Sequence, residues 1–327
     1  MNKASKIRAV IYGVLVALVI FEAFDLLGGY DYIKANFYQP SAEISSLMEK
    51  LKLTGRGNRI MRAVSPSLDS RETFNEKCES HNSEVYVLGC YLTGEDTIHL
   101  YNIQDEELEG VVESTAAHEL LHAVYNRLPF WEKSSLNAQM KSVYDTLDSE
   151  SDIKTSMDLY SSDDFYDELH SRLGTEIKDL PTDLENHYAA IFEDQDEIVS
   201  FFEKYSGTFK KYENELKTLE NKISTLQKEI DTEQEQLLKH SSELNSKIED
   251  YNNRVKNNNY TSINTIRAEG QALQKEKDAL DADYNALSQK INEYNALITE
   301  YNNNVVHSNQ IFDAINSNSG TIEELNN

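Results

Sequence analysis

Ala116-Ala117-His118-Glu119-Leu120-Leu121-His122-Ala123-Val124-Tyr125 is the stretch that decides how the chain is read. It sits in a helical pattern that opens with an N-cap at Asp105, carries Glu106 and Glu107 in the first turn, and stops at Leu128 before Pro129. Positions 118 and 122 are one turn apart, so both imidazoles project from one face and can converge on one ion. Glu119 lies about 100° further round the helix. Ala117, Leu120, Val124 and Leu128 occupy the opposite face, which predicts a helix buried behind the two histidines.

The pattern H-E-x-x-H suits zinc hydrolysis. Zinc lowers the pKa of water toward about 7, and a carboxylate within reach takes the proton as that water attacks a carbonyl. Glu119 is placed for that general-base role. On these residues the chain resembles the zincin metallopeptidases. The metzincin branch continues H-x-x-G-x-x-H, whereas here Tyr125 and Leu128 stand at the Gly and His positions. The resemblance is therefore to the gluzincin branch, which implies a third ligand from a Glu on a later helix.

Glu168-Leu169-His170-Ser171 is similar to that branch's E-x-x-small pattern, with Asp167 before it where thermolysin-like proteins carry Asn. Glu176 is the rival ligand. On one helix from Phe165 to Lys178 the two carboxylates lie about 12 Å apart along the axis, so one ion takes only one of them. The resemblance also implies a donor to the developing oxyanion. Tyr166, His187 and Tyr188 have the chemistry, and His187 or Tyr188 is the expectation. The resemblance spans about 70 residues around the motif and leaves the rest to the pattern of the chain.

Working outward, residues 40–205 read as one α+β unit, the zincin-like domain. Ser41 to Leu51 is a short amphipathic helix; Val85–Leu92 and Thr97–Ile103 read as strands of a hairpin about Thr93-Gly94-Glu95-Asp96. Cys78 and Cys90 lie twelve positions apart on either side of the strand-like stretch Glu84–Leu88, and a disulfide is expected if the domain faces an oxidising compartment. The aromatic-rich stretch Asp183–Tyr205 should pack on the core.

From residue 206 to 318 the composition turns to Glu, Lys, Gln, Asn and Leu with heptad spacing. Leu216, Leu219, Ile223, Leu226, Ile230, Leu237 and Leu244 mark one arm; Leu280, Tyr284, Leu287, Ile291, Tyr294 and Ile298 mark the other. A polar break at 256–262 between them predicts an antiparallel coiled-coil hairpin, with arms on the order of 70 Å. A parallel dimer through this coil is the competing arrangement, and residues 319–327 read as a disordered tail.

At the other end, Lys3, Lys6 and Arg8 precede the uncharged run Ala9–Phe21. This predicts a single-pass anchor over 9–28, with residues 1–8 cytoplasmic and the catalytic domain extracytoplasmic. A cleaved signal peptide competes, though no small-x-small pair stands at the cleavage position. A net charge of −26, from 57 acidic and 31 basic residues, repels a phosphate backbone and excludes nucleic acid as a partner.

The functional expectation is a membrane-anchored zinc endopeptidase acting on proteins or peptides. The competing class is a surface scaffold or adhesion protein in which the coil carries the function, by a protein partner or self-association, and the metallopeptidase domain is inactive.

Overall fold

The computed structural model describes residues 14, 28–78, 88–157, 160 and 164–317. The described chain is mostly helical, with one small sheet and a long pair of helices. It divides into two compact units: residues to 208 together with those from 311 on, and Phe209–Gln310.

In the first unit α1 (Gly29–Phe37), α2 (Ala42–Lys50) and α3 (Gly55–Ala63) precede β1 (Ser67–Asp69). Ser41 caps α2 by accepting from the Ile44 amide, and Thr54 caps α3 by accepting from that of Gly57, so each helix starts where its first free N–H groups find a side-chain oxygen. α4 (Arg71–Cys78) leads to β2 (Gly89–Leu92) and β3 (Thr97–Tyr101). The hairpin expectation holds for these two strands, which pair antiparallel with Cys90 opposite His99. Residues 85–87 of the expected strand lie outside the described residues. The sheet has a third member that the sequence did not announce: β1 pairs parallel with β3, giving the order β1-β3-β2. Three residues are too few to show a period of two. Cys78 and Cys90 form a disulfide that ties α4 to β2, and Phe74 packs beside it.

The expected continuous helix from Asp105 to Leu128 is split. A 3-10 turn at Glu106–Leu108, capped by Asp105, ends before Gly110, and α5 (Val111–Asn126) starts after it. Gly110 has φ 96°, and a Cβ there would lie 2.6 Å from the Phe201 carbonyl oxygen, so both backbone and space demand glycine. α6 (Phe130–Thr146), α7 (Asp152–Met157), α8 (Phe165–Glu176) and α9 (Thr182–Ala189) follow. Ala117, Leu120, Leu121 and Val124 of α5 are fully buried and form one core with Leu169 and Leu173 of α8 and with Tyr188, Ile191 and Phe192.

α10 (Gln195–Lys256) and α11 (Ile263–Ile315) supply the second unit. Within Phe209–Gln310 the arms run antiparallel: Tyr301 meets Glu220, Lys290 meets Glu229, and Lys247 meets Glu276, the partner's number falling as the other rises. Ile230, Leu237 and Leu244, seven residues apart, are buried with Leu280 and Leu287. The seam is narrower than the sequence pattern suggested. Tyr284 and Ile291 are exposed, because a pair of helices covers only one stripe of each. The parallel arrangement is replaced by pairing within one chain.

The membrane expectation is corrected. No helix among the described residues is long and apolar enough to cross a membrane, which stands against the single-pass anchor from which the cytoplasmic N-terminus and the extracytoplasmic domain were drawn. The two helices with ample length, α10 at 62 residues and α11 at 53, are dense in Glu, Lys and Asn, whereas apolar α5 has only 16 residues. Apart from Val14 and Gly28, the run 9–28 lies outside the described residues, as do residues 1–8 and the tail 319–327.

Candidate metal centre

α5 is buried on nearly every side. Its partly exposed positions up to the motif's end, Val112, Thr115, His118 and His122, recur every three or four residues and form one stripe. α8 lies close against α5 because Gly174 has no side chain to hold it off: a Cβ there would collide with Leu121 and Tyr188. Ser171, the small residue expected to permit this approach, is fully buried. The approach brings Glu168, 4% exposed, to the two histidines.

Three donor atoms meet there. His118 Nε2 and His122 Nε2 are 3.1 Å apart, and Glu168 Oε2 lies 3.6 Å from the first and 3.5 Å from the second. These three residues form a cluster that can hold a metal ion. The dimensions fit. A tetrahedral ion bound at about 2.0–2.1 Å holds its donors about 3.3 Å apart, which is the mean edge of this triangle within about 0.1 Å. His122 Nδ1 donates to Asp167 Oδ1 at 2.9 Å, fixing Nε2 as the nitrogen that faces the cluster.

The electrostatics follow from crowding these groups without water. Burial opposes charge on His118, but the Glu168 carboxylate reverses the effect and raises its pKa. Burial likewise opposes charge on His122, where hydrogen bonds to Asp167 and Glu168 prevail and hold it well above the usual histidine range. Burial would raise Glu168, yet the two imidazoles bring it well below the usual carboxylate value. The Glu168 carboxylate thus favours positive charge at the two rings.

Glu119 is buried, and it packs under β2: a Cβ on Gly89 would lie 2.8 Å from Glu119 Cγ and 2.9 Å from its Oε1. It lines a cleft of about 140 Å³ together with Gly89, His118, Glu168, Arg172, Glu176 and Tyr205. A larger open groove of about 890 Å³ lies between α2 and residues 102–113, but it holds no histidine, and its Glu113 is paired with Lys50 at 2.6 Å. The smaller cleft is the one lined by two members of the metal-binding cluster, His118 and Glu168.

No family model matches this chain. No curated protein and no solved structure matches it either. The His118, His122 and Glu168 cluster can hold a metal ion but is not specific to zincins.

The structure separates the candidates. His118, His122 and Glu168 come together; Glu176 stays out of the cluster, with its Oε1 3.6 Å from Arg172 Nε, and burial raises its pKa. His187 and Tyr188 are not brought to the cleft. The Tyr188 hydroxyl donates to the His170 carbonyl at 2.8 Å, and His187 Nε2 lies 2.8 Å from His170 Nε2. Tyr166 packs edge-on against Phe165. Two cleft residues escaped sequence reasoning. Arg172 could have been found from its i+4 spacing to Glu168. Tyr205, whose pKa burial raises, lies in the stretch read as core packing; only the return of α10 to the cleft distinguishes it.

Proposed function

We propose that this chain is a zinc-dependent metallopeptidase of gluzincin type, its first unit a zincin-like α+β domain. The observation that carries the reading is the triangle of His118 Nε2, His122 Nε2 and Glu168 Oε2, with Glu119 lining one cleft together with His118 and Glu168. A zinc ion held by those three donors supplies Lewis acidity and lowers the pKa of water.

The chain's own residues do the remaining work. Glu119 takes the proton of the attacking water and returns it to the leaving amine. Asp167 holds the His122 tautomer. Tyr205 keeps its proton because burial raises its pKa, so its hydroxyl can donate to the oxyanion, the role expected of His187 or Tyr188. Among the described residues β2 is an edge of the sheet, and it passes over Glu119 at Gly89, which favours an extended peptide laid along it as substrate.

Glu119→Gln tests the mechanism. The variant should retain zinc and lose about 10²–10⁴ of the hydrolysis rate on an unbiased peptide library. Full turnover in that variant would remove Glu119 from its role. Protein purified without chelator and containing no zinc would instead favour the scaffold reading, in which the helical hairpin carries the function.

A further inference from the structure

Arg172 stands one turn after Glu168 on α8, and Glu176 one turn after Arg172, so the three share one helix face. Arg172 Nε lies 2.9 Å from Glu168 Oε1 and 3.6 Å from Glu176 Oε1, while its Nη1 donates to Ser156 Oγ. The guanidinium is thus held by Glu168 and Ser156, with the Glu176 carboxyl close beside it. The two oxygens of Glu168 are divided: Oε2 faces the imidazoles and Oε1 faces Arg172.

We infer that Arg172 is a positioning residue that restricts Glu168 to one coordinating oxygen and so keeps the fourth position of the ion open for water. The inference rests on the zinc reading above. A carboxylate can grip a cation with one oxygen or both. If both oxygens bind, the second takes space that water needs. An oxygen already accepting a charged hydrogen bond is the weaker donor to a cation, and a second positive charge beside it opposes the ion's approach from that side. Glu176 and Ser156 stop the guanidinium from following Glu168 if the carboxylate turns.

Cobalt(II), added in place of zinc to the full chain after the chain is stripped of metal, tests this without an activity assay. Four-coordinate cobalt absorbs visible light much more strongly than five-coordinate cobalt. The wild type should show the strong band, and Arg172→Met should lose about half of it or more, with zinc affinity falling about 10–100-fold. Arg172→Met combined with Glu176→Gln removes the buried carboxylate left without its cation and should show the same loss of band. An undiminished band in these variants overturns the positioning role. X-ray absorption at the zinc edge of the wild type gives a test that needs no variant to fold: one Glu168 oxygen on the ion supports the role, and two overturn it. A wild-type chain that takes up no cobalt and no zinc would overturn the zinc reading beneath it as well, whereas uptake with two Glu168 oxygens on the ion would overturn only the role of Arg172.

Discussion

Asp167 Oδ1 accepts from His122 Nδ1 at 2.9 Å, while His122 Nε2 on the far side of the same ring lies 3.1 Å from His118 Nε2. The carboxylate therefore selects which nitrogen is left for an ion. Asp167→Asn keeps the size of the side chain but loses the charge, and the amide can rotate to present a donor instead. Zinc affinity measured by chelator competition should fall about 10–100-fold, with the fold unchanged by circular dichroism. Wild-type affinity in the variant would show that the ring is held by packing alone.

Gly89 is the point where the sheet meets the motif helix. A Cβ added there would stand 2.6 Å from Thr115 Cγ2 and 2.8 Å from Glu119 Cγ, so Gly89→Ala must lift β2 or turn Glu119 away. The three atoms nearest to it belong to Thr115 and Glu119 and not to His118 or His122. Zinc content should stay at the wild-type level while peptide hydrolysis drops by about 10-fold or more, since a displacement of about 1 Å at a reacting group is that costly. Equal loss of both would place the damage in the helix itself.

The site was partly legible before the fold was known, and the dividing line is physical. His118, Glu119 and His122 are set by one helical turn, so local spacing was enough for them; Glu168 with Asp167 came only from the resemblance, with Glu176 as rival, and the packing of α8 on α5 is what separates the two carboxylates. Arg172 is also local, but an i+4 pair draws notice only once Glu168 is known to be buried. Tyr205 reaches the cleft through the return of the chain 86 residues after Glu119, and no local period encodes that. Gly110 shows the opposite failure. Its flanks fit a helix, yet the helix breaks at Gly110, which has φ 96° and sits against the Phe201 backbone of α10, a neighbour no local pattern announces.

His187, with its neighbour His170, predicts a pH response in stability. Burial, with Arg56 nearby, brings His187 from the usual 6.5 down to about 4, and burial beside His187 and His122 holds His170 well below its usual value. Both pKa values are depressed on folding, so the unfolded chain binds these protons more readily. The stability they contribute is complete above about pH 6.5 and is lost as pH falls toward 4. For His187, partly exposed, the loss is on the order of 2 kcal/mol. Urea titrations from pH 7 to pH 4.5 should show a steeper decline in the wild type than in His187→Gln. Parallel slopes would mean that the pair is not neutral in the folded chain.

Glu168 and Glu176 share a helix face and a cleft but differ in what they face, and substitution separates them. Glu168 Oε2 looks at two imidazoles, and its ionised form is favoured; Glu176 looks at Arg172, and burial favours its neutral form. Glutamine has the shape of glutamic acid without the charge. At position 168 it removes an anionic ligand and leaves the histidines with a weak neutral oxygen, so Glu168→Gln should bind zinc at least about 100-fold more weakly. At position 176 it replaces a group already biased toward neutrality, so Glu176→Gln should keep wild-type zinc content and change stability by less than about 1 kcal/mol. Metal analysis of the two variants purified side by side reads the difference directly. Zinc lost from the Glu176 variant and retained by the Glu168 variant would exchange their roles and break the triangle on which the hydrolase reading stands.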